Sequence, residues 1–196
     1  MPACARTEAT AAHPGRRALV ALVLVPLLLA AVAQADILLR SARVMQEQGR
    51  YLLDARLDIG PGKEVREALD SGVPLVFVTT VRLQREREWA WSVTVTRTQL
   101  RRVLQYHALS RQYLVTGLPG GEAEGFPTLE AALRWLGRIE HLPIIEQRLL
   151  RPDEEYYVEV RTRLDIEALP APMRLGAWLS PQWHLDSGWL RVEIEP

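Results

Sequence analysis

The chain predicts a mainly β fold, an antiparallel β-sandwich of about seven or eight strands with two or three short helices. Three observations carry this expectation. Apolar and polar residues alternate over several stretches, as they do in strands with one face buried and one in water. Gly- and Pro-rich breaks separate those stretches. Helical periodicity is confined to short segments. Two facing sheets bury many one-sided strands economically. A half-open β-barrel, or an α+β arrangement, is the alternative.

In chain order, the first element is not part of that fold. Arg16-Arg17 precede an apolar run over residues 18–33, followed by Gln34, Ala35 and Asp36. A basic pair, an apolar core and an Ala-x-Ala end match a secretory signal peptide. The run is sixteen residues, short of the roughly 20 that a spanning helix needs, and Pro26 interrupts it. The expectation is export by the general (Sec-type) route to the periplasm. Cleavage near Ala35 would leave 36–196 as a single β-rich domain. The alternative is an uncleaved N-terminal helix that anchors the domain in the inner membrane. Cys4, the only cysteine, lies before the basic pair, too early to carry a lipid.

Residues 37–46 read as a strand, and Glu47-Gln48-Gly49 as a turn. Residues 50–59 alternate cleanly, with Tyr51, Leu53, Ala55, Leu57 and Ile59 on the inward face. After Gly60-Pro61-Gly62, residues 63–70 place Val65, Ala68 and Leu69 on one side of a short helix that Gly72 stops. Residues 74–84 start apolar on both faces, as a central strand does, and 85–88 form a charged turn. Residues 89–96 alternate strictly, which predicts a strand with Trp89, Trp91, Val93 and Val95 on one face.

Residues 98–113 fit both periods. The strand-like stretch 113–116 favours extended structure through most of them. Residues 118–126, with glycines around them, predict a flexible loop. Thr128 then caps a helix reaching about His141, with Leu129, Ala132, Leu133 and Leu136 as its apolar stripe. Residues 144–150 predict an edge strand and 156–166 a clean one. Residues 173–179 predict a helical turn or two, and Leu190, Val192 and Ile194 mark a closing strand.

Composition limits the chemistry. Residues 1–35 hold three Arg and one Glu, which leaves 21 basic and 23 acidic groups after them. That balance gives no pull toward nucleic acid. With no cysteine beyond residue 35, the domain has no disulfide, no Cys-ligated zinc and no cysteine nucleophile. His107, His141 and His184 are spaced too widely for a local metal motif. His141 falls at the predicted helix C-terminus, where the dipole favours an imidazolium. His184, Asp186 and Ser187 invite a hydrolase triad, but the nucleophile elbow is missing. No catalytic residue, metal site or cofactor is assigned.

The densest polar-aromatic group is Tyr106, His107, Ser110, Arg111 and Tyr113. It reads either as a strand corner with its tyrosine rings in the core, or as a recognition patch. In the patch, Arg111 would hold an anion and the tyrosines would line a pocket. Trp89 and Trp91, among several arginines, read first as core anchors. Their alternative is a surface for phospholipid head groups or glycan. The apolar C-terminal third is expected to pack in the core. Were its short helix exposed, that patch would mark a partner or membrane contact.

The Arg-led signal, the Trp-rich strand, and Leu104-x-Tyr106-His107-Ala108-Leu109-Ser110-Arg111-Gln112-Tyr113, with a closing Gly188-Trp189, resemble a known family. It is a family of exported proteobacterial proteins, domain of unknown function 4390. The resemblance brings no catalytic residues. Genes of that family often lie near a sensor kinase and a response regulator of the nitrogen-regulation type. It therefore implies an envelope role beside signalling, with an envelope protein such as a sensor kinase as partner. The expected function is non-enzymatic, a protein-protein interaction or signalling accessory module. The alternatives are a periplasmic carrier or sensor of a small apolar or amphipathic ligand and, remotely, a hydrolase using His107 or His184.

Overall fold

The computed structural model describes residues 36–87, 89, 91–117 and 121–194. The predicted signal segment, 1–35, lies outside the described residues. Strands β1 (Asp36–Glu47) and β2 (Arg50–Gly60) form a hairpin closed by Gln48 and Gly49, at φ of 49° and 74°. Two left-handed central residues match the twist of the flanking strands, and glycine adopts that geometry without Cβ strain. The inward residues of β2 are all buried, as its period of two requires.

Helix α1 (Lys63–Asp70) buries Val65, Ala68 and Leu69. It ends in a Schellman motif: Val73 N–H donates to the Ala68 carbonyl at 3.0 Å, and Gly72 N–H to that of Leu69 at 2.8 Å. Strand β3 (Leu75–Arg85) follows and is buried on both faces over most of its length. Its neighbours are β4 (Val93–His107) and β8 (Tyr156–Leu164). Strands β5 (Gln112–Thr116) and β6 (Ala123–Phe126) extend the sheet on one side, and β9 (Leu190–Glu193) on the other. The resulting order is β6-β5-β4-β3-β8-β9. Strand β7 (Arg138–Glu146) joins the first hairpin as a second sheet, β1-β2-β7.

Every strand pairing is antiparallel, and neither sheet closes on itself. The nine strands among the described residues therefore make the expected sandwich rather than a barrel. Tyr51, Leu53 and Ile144 of the small sheet meet Val81, Leu83, Val158 and Val160 of the large one. At the other end α1 and α2 (Leu129–Leu136) fill the space between the sheets. Their apolar stripes pack with Leu57, Phe77, Leu104, Val115 and Leu164. The third helix, α3 (Ala171–Leu179), contributes only Ala177 as a buried residue.

Each sheet border is short or interrupted. Strands β6 and β9 have four residues each. Strand β1 shifts register between Leu39 and Ser41 and carries the exposed Arg40 and Arg43. Strand β7 contains Pro143 and two register shifts against β2.

Four local expectations are corrected. The strand predicted over 89–96 begins only at Val93, and Trp89 and Trp91 stand almost fully in solvent instead of anchoring the core. Alternation persists through the connecting loop, so the pattern overextends the strand. The loop predicted over 118–126 contains β6 at its end, where Phe126 pairs with Tyr113. The helix predicted to reach His141 stops at Leu136, because Gly137 lies against β2. Leu57 N–H donates to the Gly137 carbonyl at 2.8 Å, and a Cβ on Gly137 would fall 2.1 Å from the Leu57 oxygen. Ile139 fits both the helical stripe and the inward face of β7, which hid the change of period. His141 consequently lies on β7 at φ 51°, within a bulge where its N–H donates to Asp54 Oδ1 at 2.8 Å.

Candidate functional site

The candidate residues fall into two groups at opposite ends of β4. Its fifteen residues separate the groups by about 45 Å at ~3.3 Å per residue.

At one end, β4 turns into β5 through residues 108–111. Tyr106 and Tyr113 are direct cross-strand partners, with ring centroids 5.0 Å apart. Both are half-buried and pack against the core. The Tyr113 hydroxyl donates to Asp70 Oδ1 of α1 at 3.0 Å. Burial, reinforced by the Asp70 carboxylate, pushes the phenol up to about 12. His107 pairs with Gln112 at the neighbouring register position, whose side chains occupy the other face of the sheet. Its Nδ1 lies 3.0 Å from Ser110 Oγ and accepts the Ser110 N–H at 3.3 Å. Arg111 is exposed in the turn at φ 53°. The tyrosines thus face the core while His107 and Arg111 face water. That is the geometry of a strand corner.

At the other end lies the β3–β4 loop. Trp89 and Trp91 are 95% and 94% exposed. The loop adjoins a cavity of about 640 Å³ at the mouth of the sandwich, floored by Tyr51, Leu150, Tyr156 and Ile194. Glu86 ties loop to cavity: its N–H donates to the Glu155 carbonyl at 2.8 Å, and its carboxylate accepts from Arg191 at 2.7 Å. Arg191 also donates to Glu193 at 2.6 Å and lies 3.8 Å over the Tyr157 ring. These hydrogen bonds push the Arg191 guanidinium above its already high range. Beneath, Arg85 Nη1 donates to both oxygens of Glu154 at 2.9 Å. That bond, opposed by desolvation and aided by Tyr156, holds Glu154 below the usual carboxylate range. Four carboxylates and two guanidinium groups line the cavity, and ion pairs with Arg85, Arg151 and Arg191 engage three of the carboxylates.

The residues of the suspected triad are separately engaged. His184 Nδ1 lies 3.1 Å from the Ser180 carbonyl. Asp186 grips Arg161 through both oxygens. Ser187 Oγ accepts from the Thr162 N–H and donates to the Gly188 carbonyl, each at 2.9 Å. Among the described residues, no cluster of His, Cys, Asp and Glu has a metal-binding arrangement.

One feature escaped the sequence reading. Arg102 points inward between Leu100 and Leu104, and its Nη1 reaches the carbonyls of Leu136 and Arg138 at 2.6 Å each and that of Trp135 at 3.3 Å. It is a cation at the C-terminus of α2 supplied by another sheet, and burial lowers its pKa. An arginine at an inward strand position was the available signal. Helix α3 follows the exposed alternative of the sequence reading, with Leu175, Trp178 and Leu179 facing solvent while Met173 packs against the core.

Fold and surface together define a two-sheet, mainly β domain, helix-filled at one end and aromatic at both. The chain belongs to the family described as Domain of unknown function (DUF4390), whose model matches residues 34–193. No curated protein and no solved structure matches it.

Proposed function

We propose that this domain is a non-enzymatic binding module outside the cytoplasmic membrane that docks onto another envelope protein through its β3–β4 loop. The observation that carries the reading is the near-complete exposure of Trp89 and Trp91. A tryptophan buries on the order of 150–250 Å² when covered. Two of them held in water forgo stabilisation that a partner would supply at ~25 cal/mol per Å². Aromatic anchors beside a charged rim make the anatomy of a protein interface. The sequence pattern over 16–36 supports export, and the gene neighbourhood implied by the family favours the extracytoplasmic part of a sensor kinase as partner. His184, Asp186 and Ser187 bond to separate partners and not to one another, which supports a non-catalytic role for that cluster. The carrier reading calls for a closed apolar cavity, whereas the 640 Å³ cavity is rimmed by charge.

The test is site-specific photocrosslinking in cells. Probes at positions 89 and 91 should give one discrete adduct with an envelope protein, and Trp91→Ala should weaken the reconstituted pair by about 2 kcal/mol or more, as a hot spot does. Adducts from position 111 with none from 89 or 91 would move the interface to the other end of β4. A chain recovered from the envelope should begin at Asp36.

A further inference from the structure

We infer that the outward face of α3 rests on a lipid bilayer, so that the domain stands on the membrane by its helix-filled end. The helix is inverted relative to an ordinary surface helix. Leu175, Trp178 and Leu179, spaced to share one face, are 73%, 57% and 78% exposed, while small Ala177 takes the buried position. Its only charged residue is Arg174, whose Nε donates to the Leu169 carbonyl at 2.8 Å.

The face is held in place. Glu64, in the first turn of α1, accepts from Ser180 Oγ at 2.8 Å, Gln182 Nε2 at 3.1 Å and Trp183 Nε1 at 3.1 Å, all just beyond the C-terminus of α3. Three donors on one carboxylate fix the helix against α1.

The position of the chain's entry into the domain selects the occupant. Asp36 pairs with Gly60, which precedes the α1 cap, Gly62, by two residues. Glu64 then binds the end of α3, so the domain begins beside that helix. In sequence, the apolar run of residues 18–33 ends three positions before Asp36. As a signal or as an anchor, a run of that kind delivers the residues that follow it at a membrane surface. A tryptophan between leucines suits the interface, with the indole at head-group level and the aliphatic chains beneath it. The exposed patch amounts to roughly 400 Å², about half of the ~800 Å² per partner in a stable protein pair, which disfavours a second copy. The inference shares export with the proposed function but does not depend on the β3–β4 loop.

The test uses the chain as isolated from the envelope, with Leu175→Cys carrying an environment-sensitive fluorophore and Cys4→Ser if residue 4 is retained. Vesicles of phosphatidylethanolamine with a minority of phosphatidylglycerol should shift the emission to the blue. A lipid-borne quencher should reach position 175 and not a fluorophore at Thr94→Cys, at the far end of β4. For the processed chain, combining Leu175→Gln, Trp178→Gln and Leu179→Gln should lower vesicle partition at least about tenfold with an unchanged circular dichroism spectrum. A fluorophore at 175 that stays in water on vesicles would overturn the inference. So would one that becomes buried with rising protein concentration and no lipid, which would reveal self-association. Neither result bears on crosslinks from positions 89 and 91.

Discussion

Arg102 shows how one side chain joins the two sheets. It leaves β4 of the large sheet and binds three carbonyls at the junction of α2 and β7, the strand that completes the small sheet. Its guanidinium also lies 4.7 Å over the Trp135 ring. Arg102→Met keeps the aliphatic stem but orphans those oxygens, so denaturant unfolding should reveal a loss of about 1.5–3 kcal/mol. Thr79 and Thr162 make a different kind of pair, a buried hydroxyl–hydroxyl bond of 2.8 Å between β3 and β8. Replacing either with Val should cost about 1–3 kcal/mol, because the other hydroxyl is left without a partner. Replacing both should recover most of that loss. A double-mutant cycle showing simple additivity would contradict the argument.

At the scale of elements, legibility followed the balance between local pattern and tertiary contact. Strand β2 and helix α1 were legible to within a residue, because their periods coincide with their burial. The end of α2 was not, since its apolar stripe runs into Ile139 without a break and the stop comes from the distant Leu57 carbonyl. Gly137→Ala should therefore destabilise the fold by about 1–3 kcal/mol, the usual cost of overpacking, although alanine favours helices. An unchanged denaturation midpoint would show that β2 yields freely at that point. Trp89 and Trp91 were misread for a related reason: a period of two states which residues share a face, not whether another layer covers that face. Only the extent of the β1-β2-β7 sheet decides that, and no local pattern encodes it. The same holds for α3, whose apolar residues were expected inside. As for the candidate site, the sequence could not separate Tyr106 and Tyr113, which pack toward the core, from His107 and Arg111, which face water.

For the whole molecule, titration connects the helix-filled end to stability. The Tyr113 phenol keeps its proton to about 12 when folded, against 10.0 for an ordinary tyrosine. Between those values the folded state binds more protons than the unfolded state, so stability falls as pH rises through the window and is undiminished below it. Tyr113→Phe should flatten that segment of the unfolding midpoint against pH. The acid side has the opposite sign. Burial alone would raise Asp186, but hydrogen bonds from Arg161 and the Gly188 N–H outweigh it and leave the carboxyl below its ordinary 3.8. That stabilisation is complete above the ordinary value and fades as pH drops through the lowered one. Asp186→Asn should remove this acid-sensitive component, readable as a flatter midpoint at low pH.

The borders of the two sheets have a colloidal consequence. A neighbouring copy seeking to zip onto this molecule finds two runs of only four residues, one run broken at Leu39 and studded with arginine, and one broken by Pro143. Unpaired borders of this kind resist strand-by-strand growth into fibrils, so concentrated solutions should stay clear. Pro143→Val restores a backbone donor to β7 and should hasten light scattering on prolonged warming.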